Sequence, residues 1–496
     1  MSADNNTSPA GPSGSTPAER DLVSISTPEL QAALEPVSVP TRSPLAGFTN
    51  WARTFECRPQ RVFAPTTNEQ CRQIVELARR EGATVHPVGV GHSPSDLACT
   101  NGWLVRMEGL KGALEISHEK MTATFAAGTT LHAVHAALGA ANPPLALRNI
   151  GSISDQTIGG LISTATHGSG VDYPVISEDV QSLDIVLPLE GAPVVHTTRT
   201  EDEQLFAASQ CGLGATGLLL TVEIRVEHAY RLEEHKDSYT VDEVLENLDE
   251  IKKSAQHVRV WWYPGNGMVV ARANRTYLPA QPQSDRMGHF LGYHVTQFLL
   301  FVSRYVRSFT PYVGKWAWSL AKPSSVVVDD SHKVFNFDCL FPQYTSEWAL
   351  DAAQARECLE ALREYIDTEA RDPNGVRVHF PVEIRWSAAD DIPLSPSYGR
   401  ETCWIGVVTY RPYGLPVPYR KYQGRFAEIC AEHGGRPHWA KEHSLTPKGI
   451  EALYPRYVDF KSTLQRVDPN GVMRSEYTRR HIDGEDVATR IFKRRP

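Results

Sequence analysis

A carboxylate and a guanidinium lie two residues apart in an apolar segment of the C-terminal half. The segment reads FPVEIRW from residue 380 to 386, and its alternation predicts a strand that turns Glu383 and Arg385 to one face. A carboxylate beside a guanidinium can bind vicinal hydroxyl groups by charge-assisted hydrogen bonds. An exposed strand with a salt bridge is the alternative interpretation of the same pattern.

Two glycine-rich segments in the N-terminal half could cradle a cofactor. The first reads PVGVGHS over residues 87–93, directly after a predicted strand, and its free backbone N–H groups suit a pyrophosphate. The second reads GSISDQTIGG over residues 151–160 and continues through small hydroxyl residues to Gly170. Such a stretch is typical of a backbone that approaches a large flat cofactor.

Residues 212–217 read GLGATG and match the spacing of a dinucleotide fingerprint. That fingerprint needs a strand before the turn and a helix after it, whereas this turn follows a helix-like stretch and precedes a predicted strand. We therefore exclude a nicotinamide site here, although its glycines can still face a cofactor.

A zinc site is the alternative chemistry in the C-terminal part. Cys430, His433, His438 and His443 have the spacing C-x2-H-x4-H-x4-H, which ligands of zinc could adopt. The spacing lacks the regular loop context of known zinc sites, so we predict no metal. Metal analysis of the purified protein tests this choice.

The surrounding elements suggest two α+β units. A strand over 56–62, a capped helix ending at Gly82 and a strand over 83–88 form a β-α-β start. After about residue 230, polar helices over 241–254 and 347–365 alternate with aromatic strands over 258–263 and 402–410.

Composition narrows the class of protein. The 496 residues include 50 Lys and Arg and 58 Asp and Glu, so the net charge of −8 excludes a nucleic-acid binder. Residues 1–45 are rich in Ser, Thr, Pro, Ala and Gly, which predicts a disordered tail. Eight scattered cysteines and a start without a secretory pattern favour an intracellular protein.

An uncharged stretch over 287–303 carries apolar residues at helical spacing, with basic and aromatic residues on both sides up to Trp318. It is short for a membrane span. A helix lying in a membrane surface is one interpretation of 287–318. Packing against its own domain or a second subunit, and so a homo-oligomer, is the other.

Five ordered motifs, taken together, resemble the sugar-1,4-lactone oxidase group of the vanillyl-alcohol oxidase family. They read GVGHSPSD from residue 89, GSISDQ from 151, THG from 166, EIR from 383 and HWAK from 438. The resemblance covers residue 46 to the end. It implies a two-domain α+β fold with an FAD-binding domain at 46–230, a substrate (cap) domain at 231–435 and a C-terminal segment at 436–496 that returns to the FAD domain.

The resemblance implies FAD bound covalently through the imidazole of His92, because the family attaches its flavin at this position. Hydrogen bonding without a covalent link is the alternative. The side chains of His86 and His167 are expected to be structural. The other residues that the resemblance places at FAD are Gly89, Val90, Gly91, Ser93, Pro94, Gly151, Ser152, Ser154, Asp155, Gly159, Gly160, Thr164, Thr166, His167, Gly168, Ile224 and Lys441.

The same resemblance implies the catalytic residues. Glu383 and Arg385 would orient a sugar lactone over the flavin, and Ser152 would hydrogen-bond a substrate hydroxyl. Lys441 would either stabilise the charge of the reduced flavin or accept the hydroxyl proton. Gly151 favours an oxidase, because a larger residue at this position is thought to obstruct oxygen in related dehydrogenases.

The expected reaction transfers a hydride from C2 of an aldono-1,4-lactone to flavin N5, and oxygen then becomes hydrogen peroxide. D-Arabinono-1,4-lactone is the first expected substrate, with D-erythroascorbate as product. An L-gulono- or L-galactono-1,4-lactone oxidase, a dehydrogenase and a polyol oxidase are the alternatives. A mitochondrial outer-membrane location and a cytoplasmic one both stay open, as does a membrane protein with a vestigial flavin site.

Overall fold

The computed structural model describes residues 21–281, 288, 290–336, 341–378, 380–487 and 492–493. Two sheets dominate the N-terminal part. One is parallel, with the strand order Arg61–Phe63, Trp103–Arg106, Val85–Val88. The other is antiparallel, with the order Val194–Thr198, Val180–Val186, Leu218–Arg225, Thr122–Ala126, Ala113–Ser117.

Helices cover these sheets. Thr67 caps the helix Asn68–Glu81 by accepting a hydrogen bond from the Gln70 N–H, and Gly82 ends it with φ +64°. The predicted stop at Gly82 is confirmed. The other helices of this part are Thr27–Leu34, Leu131–Gly139, Ile158–Ile162 and Glu203–Ser209, and its short strand pairs are Phe48–Thr49 with Phe55–Cys57 and Leu145–Ala146 with Glu227–His228.

A large antiparallel sheet, here called the cap sheet, dominates the rest. Its strand order is Ser325–Asp330, Arg231–Tyr239, Gly267–Thr276, His257–Tyr263, Val382–Ser387, Thr402–Tyr410, Gln343–Asp351, Arg436–Pro437. One face packs on the helices Val241–Glu246, Leu248–Lys252, Ala355–Arg371 and Arg420–Glu432. That packing buries the apolar side chains of alternate strand positions, because successive side chains of a strand point to opposite faces.

The opposite face of the cap sheet holds the polar side chains. Register places Arg259 opposite Arg385, and Glu383 opposite Gly406, which in turn pairs with Glu347. Val382, Ile384 and Trp386 belong to the apolar core on the helix side. The alternation predicted for 382–386 is therefore confirmed.

The C-terminal segment leaves the cap sheet after Pro437 and packs on the N-terminal part. Its helices are Pro447–Leu453, Tyr457–Val467 and Glu476–Thr478, and their apolar side chains share a core with Leu97, Ala165 and Ala208. The strand Phe492–Lys493 pairs with Phe55–Cys57.

The predicted tail is wrong for residues 21–45, whereas residues 1–20 lie outside the described part. Ser26 and Glu29 form a capping box at the start of the helix Thr27–Leu34. Leu22, Leu30 and Leu34 are buried against the helix Asn68–Glu81. A few well-spaced leucines thus fold a segment whose average composition is that of a disordered chain.

Three predicted elements need correction. Residues 343–351 form a strand, and the helix begins only at Ala355, so the predicted helix over 347–365 starts in the wrong place. Pairing with Thr402–Tyr410 outweighs the helical propensity of the alanine-rich sequence. The predicted helix 241–254 is two short helices, and the predicted strand 56–62 is two strands, Phe55–Cys57 and Arg61–Phe63.

Part of the stretch 287–303 lies outside the described residues. The described part forms a wide helical turn, Phe290–Val295, and the helix Thr296–Tyr305, and a further helix follows at Thr310–Ala321. Across the described ranges, no helix has both the length and the apolar character to cross a membrane.

Candidate active site

A cavity lies between the N-terminal part and the polar face of the cap sheet; we call it the glycine-lined cavity. Its walls come from residues 86–98, 151–167 and 213–219 on one side and from Glu347, Arg385 and the turn 438–441 on the other. Both predicted glycine-rich segments therefore meet here. Gly214 and Gly217 of the rejected fingerprint face the same cavity, as does Leu219.

Close backbone packing explains the small residues. A Cβ on Gly89 would lie 2.3 Å from Oγ1 of Thr157, the N-cap of the helix Ile158–Ile162. Gly91 has φ +70°, and a Cβ there would meet the ring of Phe48 at 2.8 Å. These glycines let two loops approach each other and leave backbone on the cavity wall, which fits a bulky cofactor.

His92 enters the cavity from the first glycine-rich turn. Its ring stacks on Trp51 with centroids 4.6 Å apart. Nε2 is buried and has no hydrogen-bond partner among the described residues. Burial, with the nearby charge of Lys441, lowers the pKa of His92 to about 4, so the imidazole is neutral at pH 7. A neutral ring with an unpaired nitrogen is suited to bonding a cofactor.

Most residues predicted to bind the cofactor line the cavity, and four lie elsewhere. Ser154 hydrogen-bonds Asn336, and exposed Asp155 pairs with His132 at 3.2 Å. Gly168 packs against Asn149, and Ile224 is buried in the core of the antiparallel sheet. The predicted catalytic residue Glu383 also lies off the wall and pairs with Arg385. The predicted residues on the wall are Gly89, Val90, Gly91, His92, Ser93, Pro94, Gly151, Ser152, Gly159, Gly160, Thr164, Thr166, His167, Arg385 and Lys441.

Charged side chains crowd the cap side of the cavity. Glu383 lies 3.6 Å from Arg385 Nε and 3.3 Å from Arg259 Nε. Ser152 Oγ accepts hydrogen bonds from Arg385 at 3.0 Å and Arg259 at 3.2 Å. The predicted pair Glu383 and Arg385 therefore belongs to a network that also holds Ser152.

Glu347 is the central carboxylate, and the sequence prediction missed it. Its Oε1 lies 2.5 Å from Arg385 and 3.2 Å from Nε2 of His167, and its Oε2 lies 3.7 Å from Lys441 Nζ. Sequence placed Glu347 in a helix, so its face could not be inferred. The alternation of buried Trp348 and Leu350 is the signal that could have found the strand.

Arg259 was also missed as a site residue. Its strand was predicted, but only the pairing with Val382–Ser387 brings it beside Arg385. The guanidinium donates a hydrogen bond to the carbonyl oxygen of Phe335 and lies over that ring. Burial lowers the pKa of Arg259 to about 10, which leaves it charged at neutral pH.

Two histidines fill the space around Glu347. His167 stacks on Trp404 at 3.6 Å, and His438 is buried beside both rings. Burial, assisted by the charge of Arg385, lowers the pKa of His167 to about 4. Burial likewise holds the pKa of His438 well below its usual range. Burial alone would raise the pKa of Glu347, but Arg385, His167 and Lys441 together hold it well below its usual range.

The four residues of the alternative zinc pattern do not converge on one site. Cys430 lies in the apolar core of the cap, whereas His443 hydrogen-bonds Tyr477 at 2.8 Å in the C-terminal segment. Within the described ranges, His167, Glu347 and His438 form the one group with metal-ligand spacing. Arg385 and Lys441 already neutralise that carboxylate, so a metal ion would stand beside two cations.

Solved structures with this fold include several proteins named as oxidases. Cholesterol oxidase from B. sterolicum matches with a TM-score of 0.74 and 16% identity over 89% of this chain and 99% of that one. Glucooligosaccharide oxidase from Acremonium strictum, described with an 8α-N1-histidyl FAD, matches with a TM-score of 0.66 and 14% identity over 89% of this chain and 96% of that one. An FAD-binding-domain family model matches residues 59–194. The chain thus has an FAD-binding domain within a fold of the vanillyl-alcohol oxidase type.

Sequence relatives narrow the class. The family model described as D-arabinono-1,4-lactone oxidase matches residues 222–481. L-Gulonolactone oxidase of Scyliorhinus torazame is 38% identical over 433 residues, 87% of this chain and 97% of the relative. D-Arabinono-1,4-lactone oxidase of Yarrowia lipolytica is 31% identical over 81% of this chain and 86% of the relative. L-Gulono-1,4-lactone dehydrogenase of Mycobacterium tuberculosis is 29% identical over 87% of this chain and 98% of the relative. The chain belongs to this family of FAD-dependent sugar-lactone oxidases and dehydrogenases.

Proposed function

We propose that the protein oxidises the C2 hydroxyl of an aldono-1,4-lactone with oxygen as acceptor. The observation that carries this proposal is the joint presence of Arg385, Ser152 and Lys441 on the wall of the glycine-lined cavity. Bound FAD supplies the acceptor for the C2 hydride. Arg385 lies on the cavity wall, where it can hold sugar hydroxyls by charge-assisted hydrogen bonds, and Glu383, 3.6 Å from Arg385 Nε, orients that guanidinium.

Lys441 provides a fixed positive charge in the proposed reaction. Its ammonium faces Glu347 at 3.7 Å and lies on the cavity wall. A cation in a site shielded from water stabilises negative charge that develops during the reaction. The hydroxyl proton leaves to a water that Lys441 holds, because the ammonium itself has no lone pair to accept it.

D-Arabinono-1,4-lactone is the first candidate substrate, supported by the family model that bears its name. L-Gulono-1,4-lactone is the second, and the relative of 38% identity favours it. Anaerobic titration of the holoenzyme with D-arabinono-, L-gulono- and L-galactono-1,4-lactone tests them, with loss of the visible flavin absorbance as readout. Reduction by a polyol alone would contradict the lactone proposal.

A pair of variants tests the sugar-binding role. Arg385→Lys should lower kcat/KM about 100-fold, the usual loss when one charge-assisted contact to substrate is removed. Glu383→Gln should lower it as well, because it removes the carboxylate that orients Arg385. Oxygen uptake with a matching yield of hydrogen peroxide measures the rate. The matched control is Glu233→Gln, on a cap strand outside the cavity, which should leave kcat/KM unchanged.

We also propose a covalent bond between His92 and FAD. The support is the buried Nε2 without a described hydrogen-bond partner, together with the histidyl FAD named for the Acremonium relative. Flavin should stay with the wild-type protein and the His132→Ala control after acid precipitation, and be released from His92→Ala. Release from the wild type would contradict the bond.

We further propose that the surface formed by Thr296–Tyr305 and Thr310–Ala321 contacts a membrane. Phe298, Tyr305 and Tyr312 are 55%, 67% and 63% exposed, next to Arg304 and other basic residues. Exposed aromatic residues beside cations suit a bilayer interface with anionic lipids. The protein should sediment with vesicles that contain phosphatidylserine, and a Phe298→Ser, Tyr312→Ser variant should not. Equal sedimentation of both proteins would contradict the proposal.

A further inference from the structure

Glu347 connects two cations of the active site through its two carboxylate oxygens. Oε1 contacts Arg385 at 2.5 Å and Oε2 faces Lys441 at 3.7 Å. The backbone carbonyl oxygen of Glu347 also accepts a hydrogen bond from the N–H of His438 at 3.0 Å. One residue therefore contacts Arg385 on its own sheet and fixes the start of the turn that carries Lys441.

The turn itself is rigid, so its attachment determines where Lys441 lies. The Lys441 N–H donates to the carbonyl oxygen of His438 at 2.9 Å. Trp439 is fully buried, and its indole N–H donates to the carbonyl oxygen of Leu394 at 2.6 Å. These contacts fix the backbone of Lys441, and the charge of Glu347 Oε2, 3.7 Å from Nζ, attracts the far end of its side chain.

We propose that Glu347 is a positioning residue of the reaction, which holds Arg385 and Lys441 in place and sets the net charge of the cavity wall. No role for this residue follows from the family motifs. Glu347 acts through the two cations and not as a base, because both of its oxygens already face positive charge.

The net charge of the network around Glu347 supports this role. Arg259, Arg385 and Lys441 are the cations of the network, and Glu347 and Glu383 are its carboxylates, so the described groups sum to one positive charge. The buried histidines His167 and His438 stay neutral, because their pKa values are lowered. Loss of the Glu347 charge would double the net positive charge and remove the attraction that offsets the repulsion between Arg385 and Lys441.

Two variants separate charge from position. Glu347→Gln keeps the size and removes the charge, so reduced FAD, which carries negative charge, should be stabilised about tenfold. This corresponds to a rise of about 30 mV in the two-electron reduction potential. Glu347→Asp keeps the charge and shortens the side chain, so its potential should stay near the wild-type value while the rate of reduction by lactone falls at least about tenfold.

The potential, measured by equilibration with redox dyes, needs bound FAD and no lactone, whereas the rate rests on the proposed function. If lactones prove not to be substrates, the reduction potential of the bound FAD can therefore still be measured. The matched control is Glu76→Gln, which removes a buried carboxylate that bridges Arg79 and Arg80 far from the cavity. It should lower the thermal midpoint without moving the potential.

A wild-type potential in folded Glu347→Gln would overturn the proposal. If that variant does not fold, Glu347→Asp decides: a wild-type rate of reduction overturns the proposal, and a loss at an unchanged potential supports it.

Discussion

At the scale of single residues, Gly151 lies on the cavity wall, and we predict that its lack of a side chain leaves room for oxygen. A Cβ at this position would point toward Thr166 and lie 3.0 Å from its Cγ2, a tight but not prohibitive contact. Gly151→Ala should therefore fold, narrow the wall next to Ser152 and slow reoxidation by oxygen at least about tenfold. Reduction by lactone should stay within about twofold, because the residues that hold the substrate are unchanged.

Stopped-flow mixing of the reduced enzyme with oxygen, and separately with a small dye acceptor, measures this effect. Gly139→Ala is the matched control, because no atom lies within 4 Å of a Cβ there. If Gly151→Ala reoxidised with oxygen as fast as the wild type, the size of residue 151 would not control oxygen access. Equal loss with both acceptors would indicate disturbed packing.

At the scale of elements, the helix Thr27–Leu34 belongs to the folded core. Leu30 is fully buried between this helix and Asn68–Glu81. Leu30→Ala should lower the free energy of unfolding by about 2–5 kcal/mol, the range for a large buried residue replaced by alanine. Leu45→Ala, at a residue 54% exposed, should change it by less than about 0.5 kcal/mol.

Thermal unfolding followed by circular dichroism checks this prediction. If both variants had the thermal midpoint of the wild type, the helix would contribute nothing to stability. Residues 21–45 would then behave as the disordered tail that composition predicts. Truncation before residue 21 is a further comparison, since it leaves Leu22 and the capping box intact.

Local patterns predicted those parts of the site that lie within one segment. Alternation put Glu383 and Arg385 on one face, and glycine spacing found the loops around His92. Arg259 and Glu347 escaped because their roles arise from strand register: Arg259 faces Arg385, and Glu347 reaches Arg385 across Gly406. Register depends on side chains far apart in the sequence, and the alanine-rich run after Glu347 favoured a helix.

At the scale of the whole molecule, the N-terminal part and the cap meet at a pair of histidines. His135, on the helix Leu131–Gly139, stacks on His332 of the cap with ring centroids 4.6 Å apart. Burial, and then the charge of His332, lowers the pKa of His135 to about 3. Nε2 of His135 is buried without a hydrogen-bond partner in the described ranges, so protonation there gains no compensating contact.

This geometry predicts acid sensitivity of the junction. The folded state binds a proton at His135 only near pH 3, whereas the unfolded chain binds it near pH 6.5. The contribution of neutral His135 to the free energy of unfolding is therefore fully present above pH 6.5. It falls as the pH drops from 6.5 toward 3, by up to about 1.4 kcal/mol per pH unit.

His135→Phe removes this pH-dependent contribution and keeps a ring against His332, so its thermal midpoint should decline less steeply than that of the wild type between pH 7 and 4. His235→Phe, at an exposed histidine, should follow the wild-type slope. Parallel slopes for His135→Phe and the wild type would show that the junction does not sense acid, and that other buried histidines such as His86 and His257 determine the acid limit of the fold.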